Sequence, residues 1–318
     1  MSNDPTGTSE LSNLVVTAYD TYVRNALRAS AIWRSLVDVR PVSVTNPGQS
    51  VVFTISADMT AVTTPLTELT DVDAVALANP TRVTVTLDEY GVPVVDTLRL
   101  RETSFTAVDP YVADKVAQNM IDSVEELVRT AAIAGTSKVY GGDALARTDI
   151  VPGDKLTAAL VRRRVAALRK ANVRGRRGDL YVGIIHPDVS VDLREETGSG
   201  GWRYPHEYQA GTNVWNGEIG VFEGAAFIET TRAGVQEAAG AGGSGTKADV
   251  YPTFFLGGEA LVEASNIEPE VRMGPVTDKL NRFRTIGWYT FSGWKVLRES
   301  AITRVETGYS SDAGYSAT

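Results

Sequence analysis

Two histidines, His186 and His206, are the only imidazoles in the chain, and the carboxylates Asp188 and Glu207 stand beside them in HPD and YPHEY. Imidazole and carboxylate together form the donor set of a metal site and of general acid–base catalysis. Neither chemistry has its spacing here. No HExxH sequence sets two imidazoles one helical turn apart, and no GxSxG turn presents a serine nucleophile. The chain has no cysteine, which removes disulfides, thiolate nucleophiles and cysteine-ligated zinc or iron–sulfur centres. Gly141 and Gly142, in SKVYGGDALARTDIVPGD, lack the GxxxxGK[ST] or GxGxxG frame that cradles phosphates. No catalytic, cofactor-binding or metal-ligating residue is assigned, and a metal-dependent or nucleic-acid-processing enzyme is the weaker alternative.

What remains is charge. Arg162, Arg163, Arg164, Arg169, Lys170, Arg174, Arg176 and Arg177 form a basic tract with no acid before Asp179. Such a tract can neutralise DNA phosphates, meet an acidic segment of another subunit, or be a solvated helix face. No aromatic is interleaved with it and no recognisable nucleic-acid domain signature surrounds it, so it supports charge pairing more readily than base reading. The opposite sign sits in Ser56 to Pro80, a stretch with Asp58, Glu68, Asp71 and Asp73 but no basic residue, no glycine and no core pattern. A long insertion of this kind inside a compact domain is a mobile loop or a contact device. We read it as the tip of a two-stranded arm whose partner presents basic residues or open backbone edges, and the basic tract as facing protein for at least part of its length.

The elements that position these charges follow from periodicity. In DPYVADKVAQNMIDSVEELVRTAAIAG, Val112, Val116, Met120, Val124, Leu127, Val128 and Ala131 recur at spacings of three and four, which predicts a helix over 110–134 of roughly 36 Å. Asp109 is the expected cap, Pro110 the first helical residue and Gly135 the left-handed stop. A second helix is expected over Asp154 to Ala171, with Ala158, Val161, Val165 and Leu168 inward. A third covers Glu10 to Trp33. Strands are expected at Val51 to Ile55, Arg82 to Gly91, Leu180 to Ile185, Val221 to Thr230, in YPTFFLGG, in FRTIGWYTFSGWKVLRES and at Ile302 to Thr307. Thr197 to Gly220 places Trp202, Tyr204, Tyr208 and Trp215 among turn residues, as an intersubunit anchor or an irregular loop pinned to its own core. Gly240 to Gly245 is a hinge or hairpin tip. Helices concentrated in the first half with strands on both sides predict an α+β molecule.

Composition sets the outer bounds. With 318 residues, 43% of them hydrophobic, the chain is long enough for one large core or two smaller ones, and a net charge of −8 gives no general attraction for nucleic acid. The start, MSNDPTGTSE, carries no signal-like segment, and no stretch approaches the roughly 18 apolar residues needed to cross a bilayer, so no membrane partner is expected.

The order of long helix, basic helix, HPDVSVDLR at 186–194, YPHEYQAG at 204–211, NGEIGVFEGAAFIET at 216–230 and a final sheet resembles the major capsid proteins of tailed phages typified by the N-four coliphage. The most specific part is NGEIG followed by GAAFIET. The resemblance runs through nearly the entire chain and implies the Hong Kong 97-like phage capsid fold. It implies an N-terminal arm at 1–48, an E-loop region at 49–82, a peripheral domain at 83–179 with its spine helix at 110–134, an axial domain at 180–251, and return strands of the core at 252–318. The implied function is a major capsid protein that self-assembles through pentamers and hexamers into the icosahedral shell around a double-stranded DNA genome, in the virion after assembly in the host bacterial cytoplasm. A non-viral, encapsulin-like shell protein is the alternative. No cofactor is implied. Implied partners are the chain itself, a separate scaffolding protein, a portal, a decoration protein and non-specifically held DNA. The chain departs from the fold's namesake in having no lysine before Lys115, so no E-loop lysine is present to form an isopeptide cross-link. The early predicted helix leaves no space for a long cleavable scaffolding region.

Overall fold

A computed structural model describes residues 31–42, 48–56, 58–68, 71–104, 108–196, 218–243, 247–274, 278–280 and 282–311. The helix predicted over Glu10 to Trp33 lies outside these residues, except for its end. There Trp33 is fully buried and opens a short 3-10 helix, Trp33–Leu36.

The strands β1 (Asp38–Pro41), β2 (Ser50–Ile55), β3 (Thr81–Thr86) and β4 (Asp88–Thr97) come first, followed by the short helix α1 (Leu98–Thr103). The long helix α2 runs Val108–Ile133, two residues earlier at its start and one shorter at its end than its periodicity predicts. Then come β5 (Lys138–Tyr140), α3 (Ala158–Lys170), β6 (Tyr181–Ile185), α4 (Pro187–Glu195), β7 (Glu218–Phe222), β8 (Ala225–Glu229), β9 (Tyr251–Leu256), β10 (Leu261–Met273), β11 (Phe283–Val296) and β12 (Ile302–Thr307). The class is α+β, as the sequence predicts.

Two sheets and a hairpin collect the strands: four in the order β1-β10-β11-β4, six in the order β5-β12-β9-β6-β8-β7, and the pair β2-β3. Helix α2 spans both sheets. Its first half packs Val112, Val116 and Met120 on Ile286 and Trp288 of β11, and the Trp288 indole N–H donates to Asn119 Oδ1 at 2.8 Å. Its second half packs Val124, Val128 and Ala132 with Trp33 and Leu36 on one face of the six-stranded sheet, against Val182, Ile184, Phe254, Leu256 and Ile302. The opposite face of that sheet, with Tyr181, Ile185, Phe227, Phe255 and Val305, is covered by Val161, Val165 and Leu168 of α3 and by Val189 and Leu193 of α4. Period-two alternation along each strand produces this division, because neighbouring side chains point to opposite faces.

Four local expectations are corrected. The Asp109 carboxylate does not cap α2, which has already begun; it pairs with Arg284 of β11 at 2.7 Å. Gly135 is not left-handed. At that end the Arg304 guanidinium donates to the Ile133 carbonyl, and a cation there also suits the negative end of the helix dipole. Helix α3 starts at Ala158 rather than near Asp154, because the Thr157 hydroxyl accepts the Leu160 N–H and sets the cap. The stretches Arg82–Gly91 and Val221–Thr230 each divide. Leu87 turns its N–H to the Gln49 carbonyl between β3 and β4, while Glu223 and Gly224, both at positive φ, make the tight turn between β7 and β8.

Candidate assembly surface

Strands β2 and β3 pair antiparallel from Ser50 opposite Thr86 to Ile55 opposite Thr81, so the two strands flanking the acidic insertion form one hairpin. Val51 and Phe53 fasten its base to Val85, Leu87, Val262 and Ala264. Beyond it, the described residues between 58 and 80 form neither helix nor strand and are exposed throughout. Val62, Leu66, Val75 and Leu77 have 80%, 73%, 76% and 75% of their surfaces in contact with solvent. An extended segment that displays this many large apolar side chains, and four acids, is built to be covered by something else.

A second apolar surface lies on the four-stranded sheet. Strand β4 is an edge strand, and Val92, Val94 and Val95 on it are exposed. Next to it a groove of about 420 Å³ is lined by Tyr90, Val92, Pro93, Arg272, Trp288 and Tyr289. Gly91 and Gly287 let β4 and β11 lie close together beneath the groove, since a Cβ on either would meet the backbone of the neighbouring strand. Arg272 stacks on Tyr289 with its guanidinium carbon 4.7 Å from the ring centre.

The structure divides the basic tract. Arg162 pairs with Glu223 at 2.9 Å, and the Arg169 guanidinium lies where a Cβ on Gly224 would sit, so both reach the β7–β8 turn. Arg176 pairs with Asp38 at 3.3 Å at the edge of a polar cleft of about 870 Å³, which Asp58 of the arm, Arg174 and Arg298 also line. Arg163 and Lys170 are exposed on the outer side of α3. Arg164 is half-buried, its Nε has no hydrogen-bond partner among the described residues, and burial followed by the charge of Arg163 holds its guanidinium below the ordinary arginine value.

Of the two histidines, His206 lies outside the described residues, as do Glu207 and the aromatic residues Trp202, Tyr204, Tyr208 and Trp215. His186 is the N-cap of α4: its Nδ1 accepts the Asp188 N–H at 3.3 Å, and its ring lies against Tyr251. Burial lowers its pKa, against the raising effects of Asp188 and Glu229. Ser190, fully buried, has its single hydroxyl hydrogen shared between Glu229 Oε2 at 2.6 Å and the Pro187 carbonyl at 2.8 Å, and so braces α4 against β8. Among the described residues no three of His, Asp and Glu stand together as a metal site, and no helix is long and apolar enough to cross a membrane. Gly141 and Gly142 leave room for Asp154, whose backbone and carboxylate occupy the space beside them.

Sequence reasoning missed a buried ion cluster. Glu306 on β12 is fully buried and takes Arg147 through both carboxylate oxygens, at 2.8 and 2.6 Å, and Arg304 at 2.8 Å. The only signal in the sequence is the acid in ITRVET, a segment otherwise read as a core strand.

No curated protein matches the sequence significantly. Solved structures do match the fold. The capsid of Ralstonia phage GP4 superposes with a TM-score of 0.74 at 14% identity, covering 93% of this chain and 96% of that one. The capsid of the cyanophage P-SCSP1u gives 0.69 at 12% identity, covering 96% of each chain. A chain of Mycobacterium phage Che8 gives 0.64 at 16%, covering 92% of this chain and 97% of that one. A family model described as phage capsid protein matches residues 128–314, more than half of the sequence, from the second half of α2 through β12. The chain belongs to the phage capsid protein family and carries the Hong Kong 97-like fold of tailed-phage major capsid proteins, which makes it a structural protein.

Proposed function

We propose that this protein is the repeating subunit of an icosahedral shell enclosing a double-stranded DNA genome, closed by pentamers and hexamers of the one chain. The observation that carries the reading is the exposed arm at 58–80, apolar and acidic, set on a hairpin rooted in the body of the subunit. Heterologous contacts generate closed rings only if each subunit offers two unlike surfaces, and the arm and the β4 groove are such a pair. Contacts that are weak singly become strong when repeated around a lattice.

In this reading 49–82 is the E-loop region, α2 the spine helix, 83–179 the peripheral domain, 180–251 the axial domain and 252–318 the strands that return through both, with 1–48 as the N-terminal arm. A scaffolding protein, a portal and a decoration protein are its assembly partners, and the shell is built in the host bacterial cytoplasm before it becomes part of the virion. The test is negative-stain microscopy of the full chain expressed alone and with a scaffolding protein. Uniform hollow particles are expected in at least one of the two, and only soluble subunits or amorphous aggregate in both would overturn the reading.

A further inference from the structure

We infer that the outer face of α3 is a sequence-independent contact for the phosphate backbone of double-stranded nucleic acid, so that this face of the subunit is turned toward the packaged genome. The inference rests on the capsid reading above and adds an orientation to it.

Helix α3 buries Val161, Val165 and Leu168 against the six-stranded sheet and exposes Arg162, Arg163, Ala166, Ala167, Arg169 and Lys170. The outward surface is therefore cations separated by methyl groups. Arg162 and Arg169 lean to the β7–β8 turn, where Arg162 pairs with Glu223 and the Arg169 guanidinium lies beside Gly224. Arg163 and Lys170, seven residues apart, are about 10 Å apart along the helix and form no ion pair among the described residues. Arg164 behind them has an unpartnered Nε, and its electrostatic neighbour is another arginine. In a chain of net charge −8, a cationic surface with so little internal counter-charge calls for an external anion.

Two anions compete for it: the acidic arm of another subunit and a nucleic-acid backbone. The arm brings Val62, Leu66, Val75 and Leu77 with its acids, and these need an apolar surface. The α3 face offers only Ala166 and Ala167, whereas the groove beside β4 offers Tyr90, Val92, Trp288 and Tyr289. A partner rich in charge and without aliphatic surface fits α3 better, and the phosphate backbone is such a partner. Helix α3 carries no aromatic to stack on bases and no Asn or Gln to read adenine edges, and we assign its exposed cations to phosphates rather than to bases.

The test uses the full-length chain before assembly and a fluorescent 30-base-pair duplex of mixed sequence, with anisotropy followed from 50 to 200 mM salt. The variant is Arg163→Ala with Lys170→Ala; both sites are exposed and alanine favours a helix, so the fold is retained. Removing two phosphate contacts is expected to make the slope of log affinity against log salt shallower by about 1.8. Arg163→Lys with Lys170→Arg is expected to keep the wild-type slope. A synthetic peptide of residues 58–80 serves as the rival ligand. An unchanged duplex slope in the alanine variant overturns the inference, and so does peptide binding that the variant loses while duplex binding stays intact. Particle formation by the wild-type chain is scored separately: absence of shells counts against the capsid reading, and an unchanged slope counts against the face.

Discussion

The carboxylate of Glu125, buried in the middle of α2, accepts the backbone N–H of Trp33 at 2.9 Å. The same side chain takes the N–H of Ile32 at 2.8 Å and of Arg34 at 3.0 Å, so one carboxylate satisfies three successive amides at the start of a 3-10 helix. Trp33 is sealed in place by an edge contact with Phe254 and by its indole N–H donating to the Arg232 carbonyl, and Arg34 pairs with the fully buried Glu263. Residues 32–34 are thereby fastened to a fixed point on α2, the longest helix among the described residues.

Glu125→Gln keeps the shape but replaces one acceptor oxygen with a donor, which leaves buried amides without partners. The expected loss is about 1–3 kcal/mol in denaturant unfolding of the unassembled chain. A change below about 0.5 kcal/mol, the usual range for a surface substitution, would show that the clamp is dispensable.

The ion pairs divide sharply by burial. Removing Glu306 leaves Arg304 buried without its carboxylate and is expected to cost about 3–5 kcal/mol. Arg162→Ala breaks a pair whose two side chains are 42% and 39% exposed, and is expected to cost about 0.2–1 kcal/mol. Equal unfolding midpoints for the two variants would contradict this ranking.

Deleting residues 57–79 should leave a folded subunit, because the described part of that segment buries no side chain in the core, yet prevent shell closure. Far-UV circular dichroism should be largely preserved and hollow particles absent. Normal particles with normal thermal stability would end the arm hypothesis.

Particles should fall apart to 34.1 kDa chains in hot detergent, since the sequence has no cysteine and no lysine before Lys115. A covalent ladder by mass spectrometry would require a different bond between subunits.

His186 supplies a pH dependence. Its pKa is lowered in the folded state, chiefly by burial, so below the ordinary value of about 6.5 the unfolded chain binds a proton that the folded chain resists. Stability is complete above that value and falls as pH drops from it toward the folded value. His186→Asn keeps a capping acceptor and should flatten the melting temperature in this window. An unflattened profile would move the titration elsewhere.

Much of this architecture was legible because it is periodic. The stripe from Val112 to Val128 marks α2 and its buried face, strand-type residues and alternation mark β2, β3, β11 and β12, and short apolar runs bounded by turn residues mark β6 and β9. Periodicity is silent where a turn is made by an untypical residue: Glu223 at positive φ hides the division between β7 and β8. It also fails on β10, where Glu263, Glu268 and Glu270 interrupt the apolar pattern and the pairing with β11 shifts register twice, so that strand was not anticipated. Long-range charge pairing is beyond any local reading. Glu306 and Arg147 are 159 residues apart, and nothing near either one announces the other. The assembly surface was legible in part: the acidic arm stood out by composition, whereas the groove beside β4 exists only once β11 is laid against that strand.

The order of the six-stranded sheet also dictates when a subunit can be finished. Strand β12, translated last of the six, lies between β5 and β9, and among the described residues β5 has no other neighbour in the sheet. While the ribosome still holds residues 302–307, β5 has no partner and one edge of β9 is bare. A product terminated before Ile302 lacks the strand that joins them and the Glu306 that holds Arg147. A chain cut short before this strand leaves β5 cut off from the rest of the sheet, so the six-stranded layer is complete only when the last of its strands has been made.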